Sequence, residues 1–109
     1  MPDEKDDKPN LEEEEVTFPD KNLEAVVRKA LEMPEGPLIR RDLLGLVDLN
    51  CVGKEINDLS GLEQAHNLTS LNPSDNQLSD ISPLASLIDL TRLFLGYNLI
   101  SDLGPLASL

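Results

Sequence analysis

Little in this 109-residue chain is aromatic: two phenylalanines, one tyrosine and no tryptophan make up 3%. The core must therefore be built from aliphatic side chains, above all leucine. Cysteine is scarcer still. Cys51 stands alone, which excludes an internal disulfide and a cysteine-based zinc site. Nine basic residues face 21 acidic ones, for a net charge of −12. That balance argues against nucleic acid, whose phosphates need a basic footprint, and against docking on an anionic membrane. No apolar run is long enough to span a bilayer. The opening, MPDEKDDKPN, is polar throughout and has none of the features of a secretory leader.

Chemistry-bearing constellations are equally sparse. His66 is the single histidine, set in the polar turn EQAHNLT, with no Cys or His at metal spacing. A Ser-His-Asp arrangement would have to use that same His66, and no serine lies in a G-x-S-x-G context. There is no glycine loop for phosphate. DLNCVGKEINDL starts like a calcium loop with Asp48, Asn50 and Gly53, but Val52 and Leu59 fall where oxygen ligands are required. Cys51 reads as a small core residue. The expectation is a non-enzyme without catalytic residues, metal or cofactor.

Charge is unevenly spread. Residues 1–15 hold eight acids and two lysines, a net of −6, with no apolar periodicity. This stretch is expected to be a disordered, solvated tail.

What the chain does have is a period. LNPSDNQLSD begins at Leu71, and LFLGYNLISD begins 22 residues later at Leu93. In that register Leu68 falls on Leu90, Leu71 on Leu93, Asn76 on Asn98, Leu78 on Ile100 and Asp80 on Asp102. Pro83 falls on Pro105 and Leu84 on Leu106. One step back gives a degenerate copy at Leu46, Leu49, Cys51, Lys54, Ile56, Asp58, Leu59, Gly61, Leu62 and Ala65. The pattern L-x-x-L-x-L-x-x-N-x-L is the leucine-rich repeat, a strand followed by a short helix or 3₁₀ turn in each coil. Alternation sends Leu93 and Leu95 inward, and Arg92, Phe94 and Gly96 outward. Asn76 and Asn98 are expected to bond turn backbone in their own and the adjacent coil, and Asp58, Asp80 and Asp102 to cap the return turns. Pro73 takes an inward position and lacks the N–H of one ladder bond toward one neighbouring coil.

Residues 16–45 do not repeat. FPDKNLEAVVRKALEM predicts an amphipathic helix with Asp20 as N-cap and Leu23, Val26, Val27, Ala30 and Leu31 on its apolar face. PEGP ends it, and LIRRDLLGL predicts a second, shorter helix closing on Gly45. Such a unit would cover the open end of the first coil.

From Val16 to Leu109 the chain resembles the internalin-like, bacterial leucine-rich-repeat proteins. VTFPDKNLEAVVRKAL…PEGPLIRRDLLGL is similar to their helical cap, and NLTSLNPSDNQLSDISPLASL to their 22-residue repeat. The resemblance implies an α/β fold: a right-handed solenoid with a concave parallel sheet, 3₁₀ segments on the convex side and an N-terminal helical cap. It divides the chain into a tail (1–15), a cap (16–45) and about three coils (46–109), the last truncated. It also implies export, to the cell surface or beyond, and protein binding through the concave face. Four residues depart from the pattern. Pro73 and Cys51 stand for inward aliphatics, Lys54 for the ladder asparagine, and Ile39 for Ser or Thr at the second helix. A weaker sheet and cap are expected from them.

The outward positions are Asp48, Asn50 and Val52, then Ser70, Asn72 and Ser74, then Arg92, Phe94 and Gly96, with Tyr97 at the rim. Phe94 is the aromatic on this face, flanked by Arg92 and Tyr97, and aromatics and Arg are the side chains enriched at interface hot spots. The expected partner surface is Asp48, Asn50, Asn72, Arg92, Phe94 and Tyr97, engaging a protein or peptide. Two further expectations concern the last repeat. The chain stops within it, so it is expected to cap and space a longer solenoid, or to self-associate end to end through the uncapped coil.

Overall fold

The computed structural model describes residues 11–107 and 109. Three short parallel strands, β1 (Asp48–Asn50), β2 (Ser70–Asn72) and β3 (Arg92–Leu93), form one sheet in chain order. Their pairing steps by 22 residues, with Asp48 beside Ser70, Ser70 beside Arg92, and Leu49, Leu71 and Leu93 aligned. Each strand returns through a 3₁₀ turn, at Leu62–Gln64, Ser82–Leu84 and Gly104–Leu106. Proline at the first helical positions of the second and third turns presets φ. The coil is thus a right-handed α/β leucine-rich-repeat solenoid, its strands on the concave side.

The core is aliphatic and continuous, from Leu46 and Leu49 through Ile56, Leu59, Leu62, Leu68 and Leu71 to Leu78, Ile81, Leu84 and Leu87. The apolar positions 22 apart stack because each coil cannot bury its own inward face alone. Each return turn is fixed by its aspartate. Asp58 accepts from Ser60 N at 2.8 Å, Asp80 from Ser82 N at 2.9 Å and Asp102 from Gly104 N at 2.8 Å.

Asn76 stitches two coils. Its Oδ1 accepts from Lys54 N at 3.0 Å and Ile56 N at 2.9 Å, and its amide donates to Cys51 O, Pro73 O and Ser74 O. Asn98 repeats this toward Leu78 N and Pro73 O. Lys54 needs no such amide, because the element before it is the cap and not a coil. There the cap supplies the bonds instead, with Asn22 donating to Glu55 O at 3.1 Å and Asp20 accepting from Asn57 N at 2.7 Å and Asp58 N at 3.2 Å.

Pro73 is buried, as its inward register requires. The rung it cannot form is visible by comparison. Cys51 N donates to Asn72 O at 2.9 Å, and the equivalent pair one coil on is Pro73 and Phe94. Phe94 O is not left bare: the hydroxyl of Ser74 donates to it at 3.1 Å. The following rung, Asp75 N to Gly96 O at 2.9 Å, is intact. The expected loss of a bond is therefore largely made good by the adjacent side chain.

The cap is built from α1 (Lys21–Leu31) and α2 (Arg40–Leu43). Asp20 is the N-cap of α1, accepting from Asn22 N and Leu23 N, while Leu23 and Val27 enter the core. The helix stops where Glu32 turns left-handed, and Arg28 ties the next turn by donating to Met33 O and Gly36 O. Ile39 has no acceptor to cap α2, but Asp42 reaches back to accept from Ile39 N at 2.9 Å. Phe18 closes the end of the first coil and is fully buried. Gly61 makes room for it: with φ +107° its added Cβ would sit 2.5 Å from the Phe18 ring.

Of the stretch expected to be a disordered tail, residues 1–10 lie outside the described residues. From Leu11 the chain is held: Leu11–Glu13 form a 3₁₀ turn, and Glu15 bridges antiparallel to Ile39. Arg40 N donates to Glu14 O at 3.0 Å, and Arg40 and Arg41 form ion pairs with Glu12, Glu13 and Glu14. The two arginines give these acids a local partner that composition alone does not reveal.

Candidate functional site

The strand register arranges the outward side chains in rows across the sheet. Asp48, Ser70 and Arg92 form one row, and Asn50 and Asn72 the next, continued at Phe94 by the same 22-residue step. Adjacent strands lie about 4.8 Å apart, so side chains within a row are near neighbours. Phe94 is 48% exposed, and beyond it Gly96 carries no side chain and leaves open space. Arg92 is exposed and forms no ion pair or hydrogen bond with a described residue through its guanidinium.

Asn50 and Asn72 are positioned alike. Asn50 Oδ1 accepts from Val52 N, and Asn72 Oδ1 from Ser74 N, each at 3.2 Å. Each side chain bends along its own strand and keeps its amide N–H₂ for an outside acceptor. Asp48 is exposed at the start of its row, two strands from Arg92.

Tyr97 lies beyond the strand and is 88% exposed. It has φ +56°, in step with Gly53 at +65° and Asp75 at +58°. The coil needs a left-handed residue here. Glycine supplies it without cost and aspartate with little, whereas tyrosine is strained by roughly 1–2 kcal/mol. The sequence signal for this position was the Gly and Asp at the same step, not the tyrosine itself. The left-handed turn swings the Tyr97 ring off the coil, beside the row that ends in Phe94.

The structure thus brings Asn50, Asn72 and Phe94 into one row, with Arg92 two residues from Phe94 on the same face and Tyr97 at the rim. Asp48 is on this face but at its far side. None of these groups is within a constellation for proton transfer. Burial of Cys51 pushes its thiol up to about 12, so it stays protonated at neutral pH. Among the described residues no group of three or more His, Cys, Asp or Glu is placed to hold a metal ion, and no helix is long and apolar enough to cross a membrane.

Comparison with known proteins places this geometry in a class and then in a narrower group. Residues 66–108 match the leucine-rich-repeat family model of two repeat copies. Among curated proteins none matches the chain. Three solved structures from Listeria monocytogenes share the fold. Internalin InlF is 33% identical with a TM-score of 0.81, covering 84% of this chain and 27% of its own. Internalin C2 is 25% identical with a TM-score of 0.84, covering 93% and 46%. The functional domain of InlJ is 28% identical with a TM-score of 0.79, covering 92% and 24%. The chain is a leucine-rich-repeat solenoid with a helical cap. More narrowly, its solenoid and cap are similar to those of the Listeria internalins, and it spans less than half the length of each of these three structures.

Proposed function

We propose that this chain is a non-catalytic protein-binding module of a secreted or surface-exposed bacterial protein, engaging a protein or peptide through the concave face of its sheet. The observation that carries the reading is Phe94: an apolar ring half exposed on a polar face, beside an arginine with no ion pair among the described residues and a projecting tyrosine. Single exposed apolar groups are common. This one is set apart by its neighbours, because Arg92 and Tyr97 are the residue types that anchor interfaces. Asn50 and Asn72 offer free amide donors in the same row, and Asp48 an acceptor at its edge.

The experiment is a phage-displayed peptide library panned on the immobilised chain. Peptides recovered by the parent should bind Phe94→Ala about 30-fold more weakly, the equivalent of about 2 kcal/mol. Circular dichroism should be unchanged, since the ring is outside the core. Equal binding by the variant would remove Phe94 from the site.

The last coil supports a second reading. Leu103 is 60% exposed and Leu109 is exposed too, whereas their counterparts Ile81 and Leu87 are buried. Such a face suits a unit that caps and spaces a longer solenoid, or one that associates end to end with another copy. Sedimentation over a concentration series tests the latter. A strictly monomeric species would leave the spacer role alone.

A further inference from the structure

The sheet has a second free element, its first edge. In a parallel sheet, alternate residues of a strand bond to the neighbour on one side. Val47 and Cys51 bond toward β2, since Ser70 N donates to Val47 O and Cys51 N to Asn72 O. The backbone groups of Asp48 and Asn50 are therefore directed to the opposite edge, and β1 is the outermost strand. The element on that side is α1, a helix with its own backbone bonds satisfied internally. No described residue donates to or accepts from the backbone of Asp48 or Asn50 across that edge.

Between α1 and this edge runs a groove of about 580 Å³, lined on the helix side by Ala25, Val26 and Lys29 and on the strand side by Asp48, Asn50 and Lys54. Its volume lies in the ordinary range of ligand clefts. Lys29 and Lys54 form no ion pair with a described residue, while Lys21, Arg28, Arg40 and Arg41 all do. A protein with net charge −12 thus keeps, among its described residues, two cations without an ion pair in one groove beside a strand edge without a backbone partner.

We propose that this groove takes an extended acidic segment of a partner protein, which adds to β1 as an outer strand. The N–H and C=O groups of Asp48 and Asn50 would make up to four main-chain hydrogen bonds to it. Ala25 and Val26 would meet its apolar side chains, and Lys29 and Lys54 its carboxylates. The described acids Glu12 to Glu14 are paired with Arg40 and Arg41.

The test uses the full chain and an acetylated, amidated six-residue peptide that alternates valine and glutamate. Titration should show binding that weakens as salt is raised and falls at least 10-fold in Lys29→Glu/Lys54→Glu. Hydrogen exchange at the Asp48 and Asn50 amides should slow at least 10-fold on adding peptide. The same peptide N-methylated at alternate residues keeps its charge but loses one edge of donors, and it should not bind. Phe94→Ala should bind as the parent does, which separates this groove from the concave face. Equal binding of the methylated peptide would show plain charge attraction and overturn the proposal. So would unchanged exchange at the two amides. Amides already protected without peptide would mean that the chain fills its own groove, and this too would overturn it.

Discussion

The two ends of the solenoid solve the same problem with different success. At the first coil, Phe18 fills the open end over Gly61, Leu23 and Val27 extend the core, and Asp20 ties helix to coil through four backbone N–H groups. At the last coil Leu93, Leu95 and Leu106 are only half buried and Leu103 is exposed. Identical repeat chemistry therefore does not give identical burial. A leucine in this fold is stabilising only when another layer lies over it.

The largest effect should come from unseating the cap. Phe18→Ala should cost about 3–5 kcal/mol through the cavity it leaves. Gly61→Ala should cost on the order of 3 kcal/mol, from its left-handed backbone and the collision with Phe18. Urea titration measures both. Gly61→Ala at parental stability would mean that Phe18 is not locked against it.

A second pair sharpens the contrast directly, because Ile81 and Leu103 occupy the same repeat position. Ile81→Ala should cost about 2–5 kcal/mol. Leu103→Ala should fall within about 0.5 kcal/mol of the parent, as exposed sites do. Equal losses at the two would show that Leu103 is covered in solution, for instance by another copy of the chain.

Asp20 tests the seam between cap and coil. Burial pushes its carboxyl up, but hydrogen bonds from the backbone of Asn57, Leu23, Asp58 and Asn22 outweigh this and hold it below the ordinary 3.8. A depressed folded-state value means the carboxylate stabilises the fold above pH 3.8, and that contribution is lost as pH falls from there through the folded value. Asp20→Ala should cost about 2 kcal/mol at pH 7. The variant and the parent should converge in stability when both are unfolded in acid. A gap that persists undiminished below the folded value would assign the effect to packing and not to charge.

A smaller effect than that at Asp20 lies in the middle of the sheet. Ser74→Ala should cost about 1 kcal/mol beside Pro73. The same change in a Pro73→Leu background should cost markedly less, because a main-chain N–H is then available to Phe94 O. Additive losses in this double-mutant cycle would mean that the two donors do not replace one another.

Much of the architecture was legible in the sequence because a solenoid writes its contacts at a fixed step. The inward leucines, Asn76 and Asn98, the three turn aspartates and the Asp20 N-cap all follow from position in the repeat or from local helix chemistry. The outward placement of Asp48, Asn50, Asn72, Arg92 and Phe94 follows from alternation alone. What escaped lies where residues from different registers meet. Ser74 replacing the donor of Pro73, Asp42 capping Ile39, and Phe18 seated on Gly61 are pairings that no period announces. Lys54 and Ile39 read as defects in isolation, yet neighbouring groups from the cap supply the bonds they lack. Tyr97 shows a subtler limit. Its place in the register was readable, but its left-handed backbone is visible only by comparison with Gly53 and Asp75.

The hydroxyl of Ser74 makes one rung of the sheet depend on residue identity. A peptide N–H is present whatever residue a codon specifies, so ordinary rungs of a sheet are indifferent to sequence drift. Between the second and third coils one rung is made by a side chain, so it depends on the residue that the codon specifies. With proline at 73 no main-chain N–H can make that rung, so a change at Ser74 is felt at the carbonyl of Phe94. The carbonyl that the hydroxyl holds belongs to Phe94, so an inward position and the exposed face are coupled at one atom.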